Sequence, residues 1–398
     1  MLRKNSRVLT DVSCALSTMF TVSTLPCARR DSVNERIIVT RHPPWMARLA
    51  LTLSLLFALT ASTNAAQPAQ NADWTLATRT LVLARTEHAL GNYFYANRVE
   101  TLRDPIEQHK SELLGIDDEK NFAVALTGIL QAASGDKHII VWFSQNSDEN
   151  QSRKPTSAEL AEQEKFFRFI AYGYDASARL PGNIGYLRLG GFADMPAAKS
   201  TIDAAMLVVS QTSSLIVDLR GNGGADNDTV DYLLGYFFAR PTEVTGAIQR
   251  KQGKAVFVHD FTPATVGAPR YASKPIYVLI DHDTISGGEM FAYDIGVLHR
   301  GLIIGQTSAG AASGLGSRPY FLSDHLSISV PDAVTRNPYT GTNWEGVGVI
   351  PNVKVEPKDA LLASYSRALK SVNDSYDPLG DVAQAQKDPA AALKAFLP

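Results

Sequence analysis

Apolar residues between positions 73 and 133 recur at mixed spacings of three and four: Trp74, Leu76, Leu81, Leu83 and Leu90, then Phe122, Val124, Leu126 and Leu130. That period predicts amphipathic helices. "RDPIEQ" and "GIDDEKN" divide the region into three, with Asp104-Pro105 and Asp117 as start signals. At "HIIVWFS" (138–144) the composition changes to that of a strand, and a polar loop then leads into a short charged helix. From Gly182 strands and helices alternate. "NIGYLRLGGF", "SLIVDLRGNGG", "KPIYVLI", "LIIGQTSAG" and "HLSISVP" read as strands; "AAKSTIDAAMLVVS", "DTVDYLLGYFF" and the segment after Ser286 read as helices. Such alternation predicts an α/β domain with its sites gathered where strands end in glycine turns. The chain after Pro357 carries one more helix (359–372) and a polar, Ala-rich tail over 373–398.

The N-terminus changes the accounts. "MARLALTLSLLFALTASTNAA" (46–66) has Arg48, an apolar core over 49–61 and small residues at its end, the pattern of a secretory signal peptide. The run is too short for a comfortable membrane span. The expectation is that residues 1–45 are an extension from a mis-assigned start, and that the product is periplasmic or secreted. Without residues 1–66 the chain has 30 Lys+Arg against 37 Asp+Glu, a net charge of −7. Both cysteines, Cys14 and Cys27, fall in the leader, so disulfides and thiol catalysis are excluded from the remainder. No basic patch with interleaved aromatics speaks for nucleic acid.

Candidate chemistry centres on "DHDTISGGEMFAYDI" (281–295). Ser286 followed by Glu289 fits a capping box at a helix start. The same junction suits a nucleophile, because helix N-termini offer oriented N–H groups to a developing anion. The glycine turns 221–224, 287–288 and 310 match no phosphate-binding loop. A serine nucleophile needs a base. His88 and His109 fall on helix patterns, His42 in the leader, and His259, His299 and His325 lack motif context. His282 is close to Ser286 in the chain, whereas His138 follows "SGD" and opens a strand that would fix it. Glu345, in the glycine-rich loop "TGTNWEGVGVIP", is a candidate to orient the base. No H-E-x-x-H, cysteine ligand or close histidine pair points to a metal, and no cofactor is expected.

Taken in order, "LPGNIGYLRLGGF", "LIVDLRGNGGADNDTVDYLLGYFF", "ISGGEMFAYDI", "IIGQTSAGAASG" and "GTNWEGVGVIPNVKV" resemble the tail-specific (C-terminal processing) serine peptidase superfamily. The likeness is to the branch of the tricorn core and of interphotoreceptor retinoid-binding protein, and it covers about residues 75–370. It implies a small helical domain (67–135) before a crotonase-like α/β (ββα) catalytic domain (136–372). It also implies Ser286 as nucleophile, with an oxyanion hole formed by the N–H of Gly287 and one from Gly223 or Gly224. The Ser–Lys dyad of processing peptidases is lost, since Ala311 stands at the lysine position. His138 as base and Glu345 as orienting carboxylate match the tricorn-like set, although Lys137 stands where a helper serine is usual and Ser134 is a poor substitute. The segment between Ser144 and Pro181 is too short for a PDZ insert. The resemblance thus implies a serine endopeptidase acting on peptide or protein substrates. The alternative it carries is a non-catalytic binder of apolar ligands, retinoid or lipid, on the same fold.

Overall fold

The strand β4 (Ser214–Asp218) and its neighbour β7 (Ile276–Ile280) are buried at every position, as "SLIVD" and "IYVLI" require of strands covered on both faces. They lie at the centre of a six-stranded sheet in a computed structural model that describes residues 74–145, 156–314, 319–372 and 377–396. The sheet runs β13-β8-β7-β4-β3-β2 and includes β2 (Tyr174–Leu180), β3 (Ile184–Leu189), β8 (Leu302–Gly305) and β13 (Val353–Lys354). All neighbours are parallel except β2, which pairs antiparallel with β3 at one edge.

Side chains alternate across this sheet. Leu215, Val217, Val278 and Ile280 face a core shared with α6 (Lys199–Val209), α7 (Asn227–Leu234) and α8 (Gly287–Val297). Ile216, Tyr277, Leu279 and Ile304 face a second layer with α9 (Pro357–Ser371), α10 (Asp381–Lys387) and α11 (Pro389–Phe396). The expected polar tail therefore contributes to a core: Val382 and Ala385 of α10 and Leu393 of α11 are buried there.

Among the described residues, the region before β1 (Ile140–Phe143) holds four α-helices where three are expected: α1 (Leu76–Leu90), α2 (Val99–Gln108), α3 (Lys110–Leu114) and α4 (Glu119–Ser134). Pro105 starts none of them. It sits inside α2, whose buried face of Val99, Leu102 and Ile106 begins earlier. Asp118, not Asp117, caps α4 by accepting the Asn121 N–H at 2.7 Å. Leu76, Leu81 and Val124, expected in the core, are exposed, and Val82, Leu83 and Leu90 form the buried face of α1. These helices share their core with Leu322, Leu326, Ile328 and Val330, because β1 pairs antiparallel with β11 (Leu326–Ser329), which also pairs with β10 (Tyr320–Phe321). A boundary at residue 135 is thus crossed by one continuous core.

A four-stranded sheet of order β6-β5-β12-β9 completes the fold, with β5 (Glu243–Lys251), β6 (Lys254–Phe261), β9 (Ser313–Gly314) and β12 (Ala333–Arg336). Its hairpin turns at Gln252 and Gly253, both at positive φ. The segment before β2 carries α5 (Ser157–Phe169), entered through a Thr156–Glu159 capping box. The expected extension 1–45 and signal peptide 46–66 lie outside the described residues. Among those described, no helix is long and apolar enough to cross a membrane.

Candidate active site

Ser286 stands between β7 and α8 with φ 55° and ψ −116°, a conformation that a residue with a Cβ rarely adopts. The "GNGG" turn after β4 holds it there. Asn222, fully buried, accepts the Ile285 N–H through its backbone carbonyl (2.9 Å), donates Nδ2 to Leu189 O (3.0 Å) and accepts the Gly224 N–H at Oδ1 (2.8 Å). Thr284 Oγ1 donates to Leu219 O (2.8 Å), joining the same two loops. Gly224, at φ +77°, lets the turn approach the elbow, where any side chain would collide.

The oxyanion expectation needs correction at two of its three residues. The Gly223 N–H donates to Gly190 O (3.0 Å) and the Gly224 N–H to Asn222 Oδ1, so both are committed within the turn. The N–H of Gly287, first in its helix, has no protein acceptor among the described residues. Sequence spacing could place the turn beside Ser286; it could not show where each N–H points.

His138 enters from the other side of the cleft, between α4 and β1. Its Nε2 lies 3.2 Å from Ser286 Oγ, joining residues 148 apart in sequence. Burial lowers the pKa of the imidazole, and the Asp136 carboxylate partly opposes that shift. The ring is therefore neutral and a competent proton acceptor around neutral pH.

Behind the ring are two carboxylates. Asp136 Oδ1 accepts the backbone N–H of His138 (2.9 Å) and stands 3.9 Å from Nδ1, which is buried and without a hydrogen-bond partner among the described residues. Asp136 Oδ2 accepts Tyr93 OH (3.0 Å) and Ser313 Oγ–H (2.7 Å). Glu345, expected to orient the base, instead accepts the N–H groups of Ala312 (2.6 Å) and Ser313 (2.9 Å) at Oε2. It makes no hydrogen bond to His138. Burial and the Asp136 charge both raise the Glu345 pKa. One ligand atom from each of Asp136, His138 and Glu345 lies within 4.8 Å of the others, close enough to hold a cation. Both oxygens of Asp136 and Oε2 of Glu345 are, however, already taken by protein donors.

Glu289 has more than a cap's duties. Its buried carboxylate accepts the Ser286 N–H (2.9 Å) and reaches across to the 308–311 loop, taking Ser308 Oγ–H (2.5 Å), Gly310 N–H (2.6 Å) and Ala311 N–H (2.9 Å). Ala311, at the expected lysine position, is buried, and its carbonyl accepts Trp344 Nε1–H (2.9 Å). Lys137 donates Nζ to Ala309 O (2.5 Å) and Ser134 Oγ donates to Leu130 O (2.8 Å), so neither serves as a helper hydroxyl at Ser286. His282 points outward and pairs with Asp283 (3.1 Å).

Comparison with known proteins is consistent with this arrangement. Residues 183–355 match Peptidase family S41, and residues 75–170 match the N-terminal domain of peptidase S41 in eukaryotic IRBP. Ser286 thus falls within one matched segment, and His138 and Asp136 within the other. The carboxy-terminal-processing protease of Bartonella bacilliformis is 28% identical over 187 residues, which are 45% of this chain and 40% of that protein. The chain therefore matches less than half the length of that relative. The crystal structure of a candidate peptidase from Parabacteroides merdae shares the fold with a TM-score of 0.50 at 16% identity, over 76% of this chain and 99% of that one. A photosystem II D1 C-terminal processing protease aligns over 79% of this chain and 99% of that one, at 14% identity and a TM-score of 0.44.

Proposed function

The chain carries a peptidase family S41 domain, and from that premise we propose that it is a serine endopeptidase with Ser286 as nucleophile and His138 as general base. The observation that carries this reading is the 3.2 Å contact between His138 Nε2 and Ser286 Oγ. His138 takes the hydroxyl proton as Ser286 attacks a peptide carbonyl. The Gly287 N–H, backed by the helix N-terminus, receives the developing oxyanion. The imidazolium then protonates the leaving amine, and water repeats the sequence on the acyl-enzyme. Such a donor is worth about 10²–10³ in rate.

The substrate class follows from the family: a peptide or protein. The expected leader at 46–66 assigns the enzyme to the periplasm or the exterior, and N-terminal sequencing of the secreted product checks that assignment. The apolar-carrier alternative has no need of an assembled Ser–His pair, and no contact described above favours it.

The test is labelling of the purified protein with a fluorophosphonate probe beside Ser286→Ala and His138→Ala. Labelling that disappears in both variants is expected. Labelling that survives Ser286→Ala, or none of the wild type, overturns the proposal.

A further inference from the structure

We propose that Asp136, not Glu345, is the residue that positions the base, holding the His138 ring with Nδ1 protonated and Nε2 free to accept the Ser286 proton. This inference rests on the serine-peptidase reading of the same site. A neutral imidazole must present one nitrogen as acceptor, and the partner of the other nitrogen decides which. The carboxylate oxygen nearest to Nδ1 is Asp136 Oδ1 at 3.9 Å, beside an Nδ1 that has no hydrogen-bond partner among the described residues. That distance is too long for a hydrogen bond in the free protein. It is of the kind that closes when a substrate draws the ring forward, as catalytic contacts often tighten only in the complex.

Asp136 is itself fixed on every side. Its own N–H donates to Ser134 Oγ (2.9 Å), Oδ1 holds the His138 N–H, and Oδ2 takes the hydroxyls of Tyr93 and Ser313. Burial and the Asp136 charge push the Tyr93 phenol far above its usual range, which keeps it a neutral donor. A carboxylate holding this many donors is fixed in orientation. Glu345 works one step behind. Its carboxylate fixes the Ala312–Ser313 backbone, and Ser313 passes its hydroxyl to Asp136. Around the Asp136 carboxylate stand Tyr93, Tyr95 and Glu345, with Arg98 beside the two tyrosines. Of these, Asp136 is the charged group whose field acts on the ring.

Imidazole nitrogen NMR of the full chain, with the fluorophosphonate labelling rate followed against pH, tests the assignment. The wild-type spectrum gives a reading that needs no variant: a neutral Nδ1–H tautomer at His138 is expected, and an Nε2–H tautomer overturns the proposal. Asp136→Asn is expected to abolish that tautomer preference, lower the His138 pKa and slow labelling by about 10²–10⁴-fold. Glu345→Gln is expected to shift the tautomer and pKa of His138 less. An equal or larger change in Glu345→Gln, or none in Asp136→Asn, overturns it. The tautomer is read without any labelling, so an unreactive Ser286 sinks the peptidase reading and leaves this result standing.

Discussion

A Cβ built on Gly224 would lie 2.7 Å from the Cβ of Ser286, and also 2.8 Å from Gly287 N and 2.9 Å from Ile285 O. Two of these three neighbours are backbone atoms of the elbow and cannot swing aside. Gly224→Ala therefore displaces the nucleophile itself, besides the ~1–3 kcal/mol that a non-glycine residue incurs at positive φ. Labelling is expected to fall by about 10²-fold or more, since a displacement of that order suffices, in a chain whose circular dichroism stays that of the wild type.

Glu289→Gln keeps the shape of the side chain but turns an amide toward backbone donors. Whichever way the amide sits, two of the four groups that the carboxylate now accepts lose their acceptor. At about 1–3 kcal/mol per buried unsatisfied donor, the thermal midpoint should drop by several degrees, roughly 2–4 °C per kcal/mol for a domain of 150–250 residues. Labelling should fall with it, because the Ser286 N–H and the 308–311 loop are released together. Scanning calorimetry and labelling of the same sample check both effects.

The lowered His138 pKa sets an acid limb. Labelling should hold its rate to below the ordinary histidine value near 6.5 and fall only as the ring protonates. Stability moves with the same group. Above 6.5 the ring is neutral folded and unfolded and contributes nothing. Below it the unfolded chain takes up a proton that the folded one refuses, so stability declines as pH falls from 6.5 toward the folded value. Denaturant midpoints at pH 7 and pH 5 should differ less in His138→Phe than in the wild type.

Asp294, buried on the nucleophile helix α8, is pushed up to about 7 by burial, against the donors Thr245 and Asn337. The sign is opposite to that of an exposed, paired carboxylate. Between pH 4 and 7 the folded chain holds a proton that the unfolded chain has lost, so stability rises as pH falls through 7 toward 4. Asp294→Asn, whose Oδ1 can still accept from Thr245 and Asn337, should remove that contribution. Urea unfolding at pH 5.5 and 8 measures it, and an unchanged pH dependence in the variant contradicts the assignment.

The parts legible in the sequence are those set by period or by local chemistry. Fully apolar runs such as "IYVLI" mark the buried parallel strands, and the glycine turns mark where the strands end. Ser286 at a helix start is visible locally. Its pairing with His138 is not, because 148 residues separate the two and only the family resemblance brings them together. Asp136 belongs to no motif in "SGDKH", and Tyr93 lies in the unremarkable "GNYFYANR", so neither stands out in the sequence as Glu345 does in its glycine-rich loop. The β5–β6 hairpin is not legible in the sequence because its positions are half exposed and carry charges that blur the alternation. N–H directions in "GNGG" depend on φ and ψ rather than on residue type, so the sequence cannot show that the Gly223 and Gly224 N–H groups bond within the turn.

Tyr93, which steadies Asp136, precedes it by 43 residues, while Ser313 follows it by 177 and Ser286 follows His138 by 148. A growing chain cannot make all of these contacts until residues 93 to 313 have emerged. The Ser286–His138 contact and the Asp136 network behind it are complete only when the chain from the first helix to beyond residue 313 is present and folded. On the proposed reading, a clip that frees the region around residue 93 would loosen Asp136 and silence the site without touching Ser286.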